Sequence, residues 1–174
     1  MKKLLLFCMM SMLLLGCSSD DDNEISLEPL VPGTWKMTYF ILENHYDLDG
    51  VKVLDLLGQT NCYQNETITF NQDGTAIVSS TSFLNIKASL VEDTEDEYTY
   101  TADCVNENDT YSATWSIEGR NLILTEEDGF VSTAPNFGGG QSLVFSIPNG
   151  FEVLLDDGTT IHAAEDILVF YERQ

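Results

Sequence analysis

Between Tyr111 and Glu118 the chain alternates strictly: Tyr111, Ala113, Trp115 and Ile117 fall on one side, Ser112, Thr114, Ser116 and Glu118 on the other. A period of two is the repeat of a β-strand with one dry and one wet face, and it argues against a helix over the same residues. Tyr98, Tyr100 and Ala102 alternate with Glu97, Thr99, Thr101 and Asp103 in the same way. From residue 31 onward no 3.6-residue apolar stripe of any length interrupts this texture. Further strands are expected over 34–42, 65–71, 74–83, 121–126, 141–147, 151–156 and 166–172, with a weaker one over 84–90. Gln72-Asp73-Gly74, Glu118-Gly119-Arg120-Asn121, Pro148-Asn149-Gly150 and Asp157-Gly158 separate them with residues that tolerate positive φ. Short connections between alternating strands imply an all-β domain, an antiparallel up-and-down meander of eight to ten strands closing into a barrel or sandwich. Residues 51–57 read as one or two helical turns. The segments 43–61 and 127–142 are expected to be mobile flaps at the mouth, because loops this long in a compact domain are usually functional or disordered.

The amino terminus carries a different signal. Lys2 and Lys3 precede an apolar run from Leu4 to Met10, resumed from Met12 to Leu15, and then comes Gly16-Cys17. A run of about twelve residues falls short of the roughly twenty a membrane-spanning helix needs, so it reads as a secretory signal. Leu14-Leu15-Gly16-Cys17 resembles the lipobox of bacterial lipoproteins. That resemblance implies that residues 1–16 are a signal peptide removed on export and that Cys17, acylated, becomes the first residue and the membrane anchor. Residues 17–30 then form a lipidated, flexible, acidic tether spanning at most about 45 Å, and 31–174 the folded domain. The run Ser18-Ser19-Asp20-Asp21-Asp22 also resembles the surface-export signal of some Gram-negative lipoproteins. The expected place is the outer membrane, either exposed at the cell surface or facing inward.

Composition narrows the partners. Seven Lys and Arg against 29 Asp and Glu leave a net charge of -22. Nucleic-acid affinity comes mostly from cations that displace phosphate counterions, so a nucleic-acid partner is not expected. Of four cysteines, Cys8 leaves with the signal and Cys17 is acylated, which leaves Cys62 and Cys104. In an exported domain the simple reading is a disulfide; two free buried thiols or a metal site are the alternatives, metal being the weakest because neither Cys has a His or a second Cys at ligand spacing. In a meander the bond requires an even number of strands between the two residues, which favours counting 84–90 as a strand and gives four.

Gly33-Thr34-Trp35 opens the domain with a G-x-W pattern that resembles the first motif of lipocalins. The resemblance implies an eight-stranded barrel whose Trp seals the closed end beneath an Arg from near the last strand, giving Gly33, Trp35 and Arg173 as the barrel floor. It also implies a binding protein for a small hydrophobic ligand. Tyr39, Tyr98, Tyr100, Tyr111, Trp115 and Phe145 are the aromatics that would line a cavity. They would equally serve as packed core, the reading preferred because large aromatics usually fill a small barrel.

Catalysis finds little support. No G-x-S-x-G elbow is present, and His45 and His162 read as solvent-facing. The acidic run from Glu92 to Glu97 reads as a charged turn that discourages edge aggregation. Asp47-Leu48-Asp49-Gly50 hints at calcium, but Lys52 stands where an EF-hand loop needs Gly. No cofactor or metal is implied, and the protein is read as not an enzyme. Two classes stay open: a membrane-tethered carrier of a small hydrophobic molecule, and an acidic module that recruits or inhibits a basic protein. A hydrolase is a distant third.

Overall fold

The computed structural model describes residues 27–48, 50–138 and 140–174. The signal segment, Cys17 and the tether to residue 26 lie outside the described residues. Among the described residues a 3-10 turn at Glu28–Leu30 leads into nine strands and one short helix: β1 Gly33–Leu48, β2 Val51–Asp55, α1 Leu56–Gln59, β3 Thr67–Phe70, β4 Thr75–Leu90, β5 Tyr98–Glu118, β6 Asn121–Glu126, β7 Val131–Ala134, β8 Ser142–Leu155 and β9 Ile161–Arg173. Eight of them pair in the order β1-β3-β4-β5-β6-β7-β8-β9, and β9 returns to β1, so the sheet closes. β2 is an extra strand on the edge of β1.

The turns fold where the chain can take positive φ. Gly74, Gly119 and Gly158 have φ of 84°, 61° and 69°. At Pro148-Asn149-Gly150 the residue at positive φ is Asn149, with φ of 50°. This last site is no turn: it is a bulge inside β8, where the register slips between Ile147 and Phe151 and the Asn149 N–H donates to Asp166 Oδ1 at 2.8 Å.

Several expected boundaries are therefore corrected. The segments 74–83 and 84–90 are one strand, β4, whose polar Ser79-Ser80-Thr81-Ser82 stretch is a bulge and not a break. The alternating segments around Tyr98 and Tyr111 likewise belong to the single 21-residue strand β5. Residues 51–55 are strand, and only 56–59 are helical, capped by Asp55 accepting from the Leu57 N–H. The two expected flaps are structured: the first contains the end of β1, β2 and α1, the second contains β7. Only β3 and β4 lie wholly between Cys62 and Cys104, so the separating count is two and not four; the parity is even and the bond forms, with Cα atoms 5.6 Å apart.

One pairing decides what happens at the mouth. In the eight-stranded ring β8 is four places from β4 in either direction, which puts the two strands on opposite walls. Yet the upper end of β4 pairs parallel with the upper end of β8, through Ile86 with Val153, Lys87 with Leu154 and Ala88 with Leu155. The β4–β5 ribbon must therefore cross the mouth, and Tyr100 of β5 meets Leu48 at the end of β1. The crossing divides the mouth into two halves. The half beside β1, β3 and β9 is packed: Phe40 stacks on Tyr63 at 4.7 Å and meets Phe151 edge-on at 6.1 Å, with Leu42, Tyr46, Val53 and Leu56 buried around them. Burying such aromatics contributes roughly 2–3 kcal/mol each, which is why this half stays shut.

Candidate functional site

The floor is built first by sequence. Trp35 is fully buried at the start of β1, its indole N–H donates to the Val31 carbonyl at 2.9 Å, and Phe137 meets its ring edge-on at 6.3 Å. Its cross-strand partner on β9 is Arg173, whose guanidinium lies 4.6 Å from the ring centroid and donates to the carbonyls of Pro32, at 2.9 Å, and Leu30. Gly33 explains its own place in G-x-W. Its φ is +134°, and a Cβ there would stand 3.0 Å from Arg173 Nη1. Phe137, expected on a flap at the mouth, is instead buried against the floor.

Above the floor, on the half of the mouth beside β5, β6 and β7, the lining becomes polar. Register carries one tier around the barrel. Tyr171 on β9 opposes Met37 on β1, and the Met37 N–H donates to the Glu66 carbonyl at 2.9 Å. The Glu66 side chain, 5% exposed, accepts the Thr81 N–H of β4 at 2.9 Å. Tyr111 of β5 opposes Val78 of β4 and donates to Glu126 of β6 at 3.3 Å. Tyr171 is 7% exposed and Phe145 meets it edge-on at 6.0 Å. Its hydroxyl has no hydrogen-bond partner among the described residues. Tyr111 and Glu126 are only half-buried, so this tier is not sealed from solvent.

Burial pushes the Tyr171 phenol far above its ordinary value, with Tyr111, Glu66 and Glu126 adding to the rise. Tyr111 moves the same way, again first by burial and then by the charge of Glu126. Both phenols therefore stay protonated across the physiological range. Glu126 is raised by burial and by Asp128, against the lowering effect of the Tyr111 hydroxyl. The groups facing these phenols are acidic throughout, and a site of this kind holds positive charge or hydrogen-bond donors.

The expected lining residues divide. Tyr111 and Phe145 face the interior. Trp115 sits at a floor corner, its indole N–H donating to the Asn71 carbonyl at 2.9 Å and its ring edge-on to Phe70. Tyr98 and Tyr100 do not line the lumen; they pack the ribbon where it crosses, against His162 at 4.2 Å and 6.1 Å and, for Tyr100, against Tyr46 at 5.0 Å. His162 is accordingly half-buried rather than solvent-facing, whereas His45 is exposed. Tyr39 is outside, 52% exposed and edge-on to Phe170. The cause is a register shift between Met37 and Tyr39, which flips the faces of β1 so that Phe40 and Leu42, not Tyr39, continue inward. Sequence reading missed Glu66, Glu126 and Tyr171. The signal was present: each shares a strand face with apolar neighbours two and four residues away, Ile68 and Phe70, Leu124 and Leu122, Val169 and Ile167.

At the other hinted site, the Asp47 carboxylate accepts the Gly50 N–H at 2.8 Å, and Asp49 lies outside the described residues. No group of three metal-ligating side chains gathers among the described residues. The family model described as lipocalin-like domain matches residues 31–137. No curated protein and no solved structure matches the chain.

Proposed function

The chain belongs to the lipocalin-like domain family, and from that premise we propose that it is a lipid-anchored binding protein of the cell envelope that holds a small, largely apolar molecule inside its barrel. The observation that carries this reading is the asymmetry of the two ends: Trp35 and Arg173 seal the floor, while half of the mouth leaves Tyr111 and Glu126 within reach of solvent. Apolar walls with a few convergent polar groups are what small-molecule sites are made of. Val78, Leu124, Phe145 and Val169 supply the walls.

Acylation of Cys17 supplies the anchor. Several acyl chains hold a protein to a bilayer where one would dissociate, at about 0.8 kcal/mol per buried methylene. The first described residues run beneath the floor, where Arg173 grips the carbonyls of Leu30 and Pro32. Two measurements test the proposal. Cys17→Ala should turn a membrane-bound protein into a soluble exported one; retention on membranes refutes the anchor. Organic extraction of protein purified from its native envelope, followed by mass spectrometry, should release a stoichiometric small molecule, and repeated empty preparations that also fail to bind a neutral fluorescent lipid probe refute the carrier.

A further inference from the structure

Among the described residues the interior tier holds two carboxylates, Glu66 and Glu126, which accept hydrogen bonds from the Thr81 N–H and the Tyr111 hydroxyl. Glu66 is almost fully buried with one oxygen on the Thr81 N–H, Glu126 is half-buried beside Tyr111, and the groups that face Tyr171 are Tyr111, Glu66 and Glu126. Buried carboxylates are ordinarily paired with a cation or a metal. Here no third metal-ligating side chain completes a metal site among the described residues. The Tyr171 hydroxyl, on a side chain 7% exposed and without a hydrogen-bond partner among the described residues, offers a further acceptor into the same space.

Resting on the carrier reading above, we infer that the bound molecule is an amphiphilic organic cation, whose protonated amine seats between Glu66 and Glu126 with the Tyr171 hydroxyl as an additional acceptor, and whose apolar body lies along Phe145, Leu124 and Val169. The chemistry selects an amine over a neutral head, because a neutral head leaves both acids uncompensated.

The test compares two probes of equal chain length, decylammonium and 1-decanol, titrated calorimetrically into the soluble Cys17→Ala chain at pH 7. Sodium chloride at 0.5 M shortens the Debye length to about 4 Å and screens the acidic outer surface. Decylammonium should bind about tenfold or more tightly than decanol, the scale of one charge-assisted pairing in a site partly shielded from water. In Glu66→Gln/Glu126→Gln, where each amide keeps its acceptor oxygen, the ratio of decylammonium to decanol affinity should fall to about one. Equal affinities in the unsubstituted chain overturn the cation and leave the carrier standing. Failure of both probes overturns the two together. A preference that survives the double substitution places the cation elsewhere and overturns the site. Should the double variant lose its near-ultraviolet circular dichroism, Glu126→Gln and Tyr171→Phe carry the test, each reducing the preference about threefold or more.

Discussion

Arg173 stands over the Trp35 ring at 4.6 Å while opposing it across the β1–β9 ladder, so one cross-strand pair both closes the barrel and caps its floor. The same guanidinium ties down the incoming chain through the carbonyls of Pro32 and Leu30. Arg173→Ala should cost about 2–4 kcal/mol in urea unfolding, because a cation–π contact and two hydrogen bonds vanish together. Arg173→Lys keeps the charge but cannot reach two carbonyls from one plane, and should recover about half. Full recovery by Lys would mean that charge alone holds the floor.

The Cys62–Cys104 bond joins a buried residue in the segment before β3 to an exposed one a third of the way along β5, within the ribbon that crosses the mouth. Closing a loop of 42 residues restricts the unfolded chain by about 4 kcal/mol on the chain-entropy account. Cys62→Ser/Cys104→Ser should lose about that much stability. A loss below about 1 kcal/mol would show that the packing of β4 on β8 already fixes the ribbon.

At Gly150 a Cβ would lie 2.7 Å from Ile147 Cγ2 and from two atoms of Ile167, inside the β8 bulge. Gly150→Ala therefore forces the core to move, and should lower stability by about 1–3 kcal/mol. Gly119, at φ of 61° with nothing within 4 Å, is the matched control. Gly119→Ala meets only backbone strain, about 1 kcal/mol. Equal losses at the two sites would mean that Ile147 and Ile167 rearrange without cost.

The closed all-β architecture was legible because alternation and turn chemistry both depend on neighbours in sequence. Gly33, Trp35 and Arg173 were legible through a motif. Tyr39 was misplaced because a bulge is invisible to a period-two count: one extra residue at Thr38 inverts every later face of the strand. The crossing of the mouth was illegible for a different reason. It depends on Ile86 finding Val153, a pairing 67 positions away that no local pattern encodes. The acids of the interior were readable and not read: Glu126 falls on the dry face of β6 and Glu66 stands one residue before β3, in step with Ile68 and Phe70, where a charge is costly enough to demand a use.

That cost gives Glu126 a measurable pH signature. Burial, then Asp128, raises its carboxyl above the ordinary value, outweighing the Tyr111 hydrogen bond. The folded state thus binds its proton more tightly than the unfolded state, so stability from this group rises as pH falls through the folded pKa, and the ionised form is a liability above it. Glu126→Gln, which keeps an acceptor for the Tyr111 hydroxyl, should raise Tm at pH 7. The advantage should shrink as pH approaches about 4, where the unfolded carboxyl also protonates. A thermal scan of both proteins between pH 4 and 8 reads this directly. A lower Tm at pH 7 would show that the charged bond to Tyr111 outweighs burial, making Glu126 a structural residue. A higher one, joined to weaker binding of the cationic probe, is the pattern of a residue retained at the expense of stability because it holds a ligand.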